Sequence, residues 1–216
     1  MPGGAVSFRV EILEIRWGPG GRADIPLPGG GLLKIRGRCG AARQETSGVV
    51  FPAQVHGAEV LMNPAPGDAG DALIMTEGRG NPGVRAADCL PLAAAGPGWL
   101  GMAHAGWRGL ASGIVERFAG AFPSAPRVLV AGPCICRGCY EVGEDVRTAA
   151  SGSGAGPGLH PPGRLDLMAE ALERLRDAGL SCRVLSIAEC TKCRPDLLHS
   201  YRRDGGALRN FLWIEG

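Results

Sequence analysis

The chain has 216 residues, 45% hydrophobic and 20% charged, long enough for one substantial core and apolar enough to fill it despite 36 Gly and 17 Pro. Global disorder is thereby excluded. With 23 basic against 21 acidic residues the formal charge is +2, which leaves no surplus to hold nucleic acid non-specifically; only two of the cations are Lys, so a single Arg carries less functional weight than usual.

Met1–Arg16 carries Arg9, Glu11 and Glu14 where an export signal needs an unbroken apolar stretch. The long uncharged run Cys89–Trp107 is interrupted by Pro91, Pro97, four Gly and His104, so it reads as two buried strands and a turn rather than a membrane span. Eight Cys in such a chain are expected to be reduced thiols, available as metal ligands or nucleophiles, and the expected compartment is the cytoplasm.

Phe8, Val10 and Ile12 alternate with Arg9 and Glu11, the pattern of a half-buried strand. Residues 17–31 read as a Gly/Pro-rich loop. Short apolar, β-branched runs follow at Gly48–Phe51, Glu59–Met62, Ala72–Met75, Leu90–Ala95, Trp99–Ala103, Arg127–Ala131, Cys182–Ile187 and Phe211–Ile214, which predicts a large sheet. Trp107, Leu110, Ile114, Val115 and Phe118 recur at helical spacing and predict one helix whose apolar stripe covers that sheet. A second helix is predicted from the N-cap Asp166 to a stop at Gly179. Ser151–Gly163, rich in Gly, Ser and Pro, reads as a mobile surface loop within one domain.

Gly96-Pro97-Gly98 is short enough to force a hairpin between Leu90–Ala95 and Trp99–Ala103. Pairing around that loop sets Ala95 opposite Trp99 and Leu90 opposite His104, which brings Cys89 and His104 to the same open end. His104 also stands where a strand gives way to a helix beginning near Gly106, a place that favours bound anions. His56 ends the Val49–Val55 segment just before Gly57. Two His and one Cys would leave a fourth tetrahedral position open, as catalytic zinc sites do. A Cys–His pair also suits a nucleophile and its base.

Five segments in order, Gln54-Val-His56-Gly57, Arg85-Ala-Ala-Asp88-Cys89-Leu-Pro91, His104-Ala-Gly-Trp107-Arg108-Gly109, Gly132-Pro133 with Tyr140-Glu141-Val142-Gly143, and Ser200-Tyr201-Arg202-Arg203-Asp204, together resemble the laccase-domain family. That family was once called multicopper polyphenol oxidase and is now described as purine nucleoside phosphorylase. The resemblance covers roughly residues 50–216. It implies an α/β (α+β) fold, a large mixed β-sheet covered by helices in one layered domain over residues 1–216. The stretch of about 1–47 departs from the family pattern and reads as degenerate. By motif, the metal ligands and catalytic residues fall on His56, Cys89 and His104, and contacts to phosphate or ribose on Arg85, Arg108, Arg202 and Arg203. Trp107 is a candidate to stack on a base, although its place on the helix stripe also suits the core.

The resemblance further implies zinc, with copper less favoured. The implied reaction is phosphorolysis of adenosine, inosine or methylthioadenosine to base and ribose 1-phosphate, with adenosine deamination as a second activity. The implied partners are a purine nucleoside and phosphate, with no nucleic acid and no membrane. Multicopper oxidation would need a His-rich cluster, and four His are too few. The competing readings are a metal-free cysteine hydrolase using Cys89 and His104, and a non-enzymatic zinc-binding module. Finally, Cys136-x-x-Cys139 and Cys190-x-x-Cys193 follow two predicted strands and form a Cys₄ structural zinc site if those strands are neighbours ending at one edge.

Overall fold

The computed structural model of the protein describes residues 9–41, 44–151, 159–160 and 163–216. Its strands are β1 (Val10–Ile12), β2 (Arg22–Pro26), β3 (Leu32–Arg36), β4 (Val49–Val50), β5 (Val60–Met62), β6 (Ala72–Thr76), β7 (Asn81–Ala86), β8 (Leu90–Gly96), β9 (Trp99–Ala105), β10 (Val128–Ala131), β11 (Leu159–His160), β12 (Arg164–Leu165), β13 (Arg183–Ser186) and β14 (Asn210–Glu215). The helices are α1 (Trp107–Ala111), α2 (Ile114–Gly120), α3 (Glu144–Ser151), α4 (Leu167–Asp177) and α5 (Tyr201–Asp204).

Seven strands form one mixed sheet in the order β1-β13-β10-β8-β9-β6-β5, and five form a second in the order β2-β3-β14-β7-β4. The larger sheet is a central layer, and the sequence explains why. Along β8, Leu90, Leu92 and Ala94 pack with the helices, whereas Ala93 and Ala95 pack toward the second sheet. The same alternation sends Ala72 and Ile74 one way and Leu73 and Met75 the other, and it splits Leu129 from Val128 and Val130. Strands buried on both faces have no use for polar residues at alternate positions, which is why they read as continuous apolar runs. Helices α1, α2 and α4 cover one face; the five-stranded sheet covers the other, so the expected large mixed sheet with a helical layer is present, with a second sheet as its other cover.

Several expectations are corrected. The predicted loop 17–31 contains β2, and β3 and β7 were not marked by any apolar run: β2 alternates with Arg22 and Asp24, β3 includes Lys34 and Arg36, and β7 contains Pro82 and Gly83. The first helix is two helices, because Gly113 takes φ +84, a left-handed conformation that interrupts the helical path. β1 faces the other way from its pattern: Val10 and Ile12 are exposed, Ile12 at 74%, because this edge strand pairs only with β13 and its Glu11 bonds Arg183 at 2.7 Å. Phe8 lies outside the described residues. So do 152–158 and 161–162 of the predicted mobile loop, whose residues Leu159–His160 form β11 and pair with β12 just beyond it.

The hairpin register also differs by one residue. Gly96 pairs with Trp99 across a two-residue Pro97-Gly98 turn in which Gly98 has φ +75, so Pro91, not Leu90, opposes His104. The α4 boundaries are as expected: the Asp166 carboxylate accepts from the Ala169 N–H at 3.0 Å, and Gly179 has φ +73. No helix among the described residues is long and apolar enough to cross a membrane.

Phe118 is fully buried between α2 and the central sheet, with its ring edge-on to Phe122 at 4.9 Å. We expect Phe118→Ala to lower stability by about 3–5 kcal/mol in urea denaturation. Asp166→Ala, which removes only the α4 cap, should cost about 1 kcal/mol in the same assay.

Candidate active site

At one end of the central sheet β8 begins, β9 ends, and the loop before β5 crosses over them. The loop is held by Asp71, fully buried immediately before β6. Its carboxylate accepts the backbone N–H groups of Val55 (3.1 Å), His56 (2.9 Å) and Gly57 (2.7 Å) and the Nδ1–H of His104 (2.9 Å). Its own carbonyl accepts the His104 backbone N–H at 2.7 Å. A carboxylate so supplied with donors keeps its charge: burial pushes its pKa up, but His104 and the loop amides outweigh it and the net shift is downward. One side chain therefore sets both histidines, and His56 is held at φ +60.

His56, Cys89 and His104 converge. Their ligand atoms all lie within 4.8 Å of one another, and the two imidazole rings meet edge-on at 4.9 Å. Burial pushes the Cys89 thiol up, but hydrogen bonds and charge from His104 and His56 bring it down to about 6. Burial pushes His104 down, but Asp71 and Cys89 raise it to about 9. Both shifts favour a thiolate beside an imidazolium in the metal-free pair. Glycine is required at 106, since a Cβ there would meet Cys89 Sγ at 2.8 Å and His56 Cδ2 at 3.6 Å.

The donor set fits a zinc ion. A tetrahedral site with Zn–N near 2.0 Å and Zn–S near 2.3 Å needs donor atoms about 3.3–3.5 Å apart, a span compatible with three ligand atoms that all lie within 4.8 Å of one another. Asp71 occupies His104 Nδ1, so Nε2 is the ligand atom, oriented from behind by a carboxylate as metal-bound imidazoles are.

The turn carrying Cys89 is fixed by a second buried acid. Asp88, at φ +87, accepts from Thr191 Oγ1 and from the Arg202 backbone N–H, each at 2.6 Å. Around this floor a cavity of about 670 Å³ is lined by His56, Cys89 and His104 together with Arg85, Arg108, Arg202, Arg209, Trp107, Tyr140 and Tyr201. Arg85 donates to the Pro52 carbonyl (3.2 Å) and lies over Phe51; Arg202 donates to the Glu141 carbonyl (2.7 Å) and lies over Tyr140. Arg108 is exposed and lies over the half-buried Trp107 ring at 4.5 Å.

Arg203 is the one predicted contact that does not line the cavity. Its guanidinium donates to the carbonyls of Thr191, Lys192 and Leu198 and pairs with Asp204 at 2.7 Å, which makes it a framework residue. Asp71, Tyr140 and Arg209 were not singled out as site residues from the sequence. The signal for Asp71 was an acid placed directly against the buried run 72–75; nothing comparable marks Arg209.

Among the described residues, two groups of side chains cluster tightly enough to hold a metal, this triad and Cys136, Cys139, Cys190 and Cys193. Known proteins resemble this chain. A purine nucleoside phosphorylase of Xylella fastidiosa (strain Temecula1 / ATCC 700964) is 39% identical over 144 residues, 61% of this chain and 55% of that protein. Purine nucleoside phosphorylase YfiH of Escherichia coli (strain K12) is 32% identical over 193 residues, 83% of this chain and 79% of that protein. The crystal structure of Neisseria meningitidis protein NMB0706 superposes with a TM-score of 0.75 at 27% identity, covering 89% of this chain and 97% of that one. Residues 34–215 match the family described as Multi-copper polyphenol oxidoreductase laccase, beginning earlier than the five motifs alone reach, and the chain belongs to that family.

Proposed function

We propose that the protein is a zinc-dependent purine nucleoside phosphorylase, cleaving adenosine, inosine or methylthioadenosine with phosphate to base and ribose 1-phosphate and deaminating adenosine as a second activity. The observation that carries this reading is one cavity in which His56, Cys89 and His104 stand together with four guanidinium groups. The relatives named purine nucleoside phosphorylase support the reaction class. The eight free thiols suit a reducing cytoplasm, and residues 1–216 read as one domain whose first 33 residues lie outside the family match.

Zinc bound by the triad would supply a Lewis acid with one open position. The chain's own residues do the rest. Asp71 accepts the Nδ1–H of His104 and so holds Nε2 toward the donor cluster. Arg85, Arg108 and Arg202 offer charge-assisted hydrogen bonds to phosphate, whose oxygen attacks the anomeric carbon as the bond to the purine nitrogen breaks and the base leaves with the electron pair. Trp107 and Tyr140 offer aromatic faces to the base.

A second reading rests on the thiolate–imidazolium state of metal-free Cys89 and His104, which is the resting state of a cysteine hydrolase. Following adenosine with and without phosphate on metal-quantified protein separates the two. Phosphate-dependent loss of adenosine by zinc-loaded protein is the expected result. Activity in stripped protein that alkylation of Cys89 abolishes would favour the hydrolase, and zinc without turnover would leave a binding module.

His56→Ala, Cys89→Ala and His104→Ala should each remove the zinc of this site and the activity while circular dichroism stays that of the folded protein. Full activity in Cys89→Ala would sink the assignment. Asp71→Asn keeps the volume but replaces an acceptor of four N–H groups with an amide that accepts through one atom. We expect zinc affinity, measured by chelator competition, to fall about 10–100-fold. For phosphate, Arg108→Lys loses the guanidinium fork and should raise the KM for phosphate more than the KM for nucleoside. Arg203→Lys should instead lower Tm and leave that ratio unchanged, because its contacts are to backbone carbonyls of the framework.

A further inference from the structure

We propose that Cys136, Cys139, Cys190 and Cys193 form a second metal site, a tetrathiolate zinc centre that is structural and independent of the His56–Cys89–His104 cavity. The two Cys-x-x-Cys pairs are 54 residues apart in sequence, yet the topology delivers them to one place. β10 and β13 are adjacent and parallel, so the segments that follow them leave the sheet at the same end. They stay together beyond it: Cys134 and Cys190 form a parallel bridge, and the Thr191 N–H donates to the Cys134 carbonyl at 3.1 Å.

Each pair then turns back on itself. In the first, the N–H groups of Cys139 and Tyr140 both reach the Cys136 carbonyl, at 2.9 and 3.1 Å; in the second, the Arg194 N–H reaches the Cys190 carbonyl at 3.2 Å. Such turns aim both sulfurs of a pair to one side. The four Sγ atoms all lie within 4.8 Å of one another, with Cys139 and Cys193 at 3.4 Å. A zinc–sulfur distance near 2.3 Å requires sulfurs about 3.8 Å apart along every edge of the tetrahedron.

Two disulfides would need only two close pairs. Mutual proximity of all four sulfurs is the requirement of a single shared centre. Two further features suit a thiolate cluster. The Cys136 N–H donates to Cys190 Sγ at 3.3 Å, and Arg137 and Lys192, one inside each pair, supply positive charge against the net negative charge of a tetrathiolate zinc.

The position also indicates what the centre would brace. Cys139 is followed by Tyr140, which lines the cavity; Cys190 is followed by Thr191, which holds Asp88; and Arg203 donates to the carbonyls of Thr191 and Lys192. One knuckle thus leads directly into a cavity-lining residue, and the other holds a lining residue through one hydrogen bond. A shared ion would close a chain loop of more than fifty residues next to the site without touching substrate.

The test is metal stoichiometry on the full chain produced in zinc-supplemented medium and purified under reducing conditions, compared by native and denaturing mass spectrometry. Wild type should carry two zinc per chain. Cys136→Ser/Cys193→Ser should carry one and melt at lower temperature. Cys89→Ala should also carry one, and its cobalt-substituted form should give the intense charge-transfer and visible bands of a tetrathiolate. Should the double variant fail to fold, the cobalt spectrum of the Cys89→Ala protein still decides. A single zinc abolished by Cys89→Ala, or disulfides joining these cysteines in the freshly reduced protein, would overturn the proposal. One zinc lost with Cys136→Ser/Cys193→Ser but kept in Cys89→Ala would instead uphold it and overturn the zinc reading of the catalytic cavity.

Discussion

The buried carboxylate of Asp71 is the constraint on which the site depends. An unpaired charge at that depth would be intolerable, and the chain satisfies it with three consecutive loop amides and an imidazole N–H. The arrangement works in both directions. The acid needs the donors, and the donors belong to segments that have no other reason to meet: a loop lacking regular structure, and the last residues of β9. Removing the acid would leave the Nδ1–H of the buried His104 without the acceptor it has here and would release the amides of the loop that carries His56.

Asp88 repeats the device on the other side of the triad. It stands in a left-handed conformation that costs a non-glycine residue strain, and it persists because Thr191 and the Arg202 amide hold it there. Cys89 follows directly, so the strained turn aims the sulfur. All three donor residues lie on or beside loops at one end of the sandwich, and two buried acids supply the rigidity that loops lack. A site assembled in this way is preorganised by electrostatics before any ion or substrate arrives.

Strands of the central sheet were legible in the sequence because both their faces are buried, which leaves unbroken apolar runs such as Ala72–Met75 and Leu90–Ala95. In the second sheet β4 and β14 were readable as the runs Gly48–Phe51 and Phe211–Ile214, whereas β2, β3 and β7 were not, since they contain Arg22, Asp24, Lys34 and Pro82 among the apolar residues. The α4 cap and stop were readable as chemistry, whereas the break at Gly113 was not: a glycine within a helical pattern is as often tolerated as obeyed. Spacing and the five motifs brought forward His56, Cys89 and His104, but the hairpin register behind that argument was one residue off. A three-residue loop was assumed where Pro97-Gly98 makes a two-residue turn, and the cysteine still reached the histidine because it lies beyond the paired strand, where strict alternation no longer governs. Asp71 escaped notice for a different reason. An acid set directly against the buried run Ala72–Met75 hints at burial, but its role depends on which loop lies above it, and that is not encoded locally.

The family's description as a multicopper oxidoreductase sits poorly with this ligand inventory. Of four histidines, His56 and His104 belong to the triad, His199 is buried beside Asn210, which accepts its backbone N–H at 2.8 Å, and His160 lies in the short strand β11. A blue-copper centre would consume two His and the Cys and leave only His160 and His199, too few for the His-rich trinuclear cluster that reduces dioxygen. Phosphorolysis asks for much less: one ion with an open position, and cations to hold a doubly charged nucleophile beside a purine. The cavity's combination of one three-donor cluster with several guanidinium groups matches that shorter requirement. Arg85 and Arg202 each spend one nitrogen on a backbone carbonyl, which fixes the side chain at the wall of the cavity.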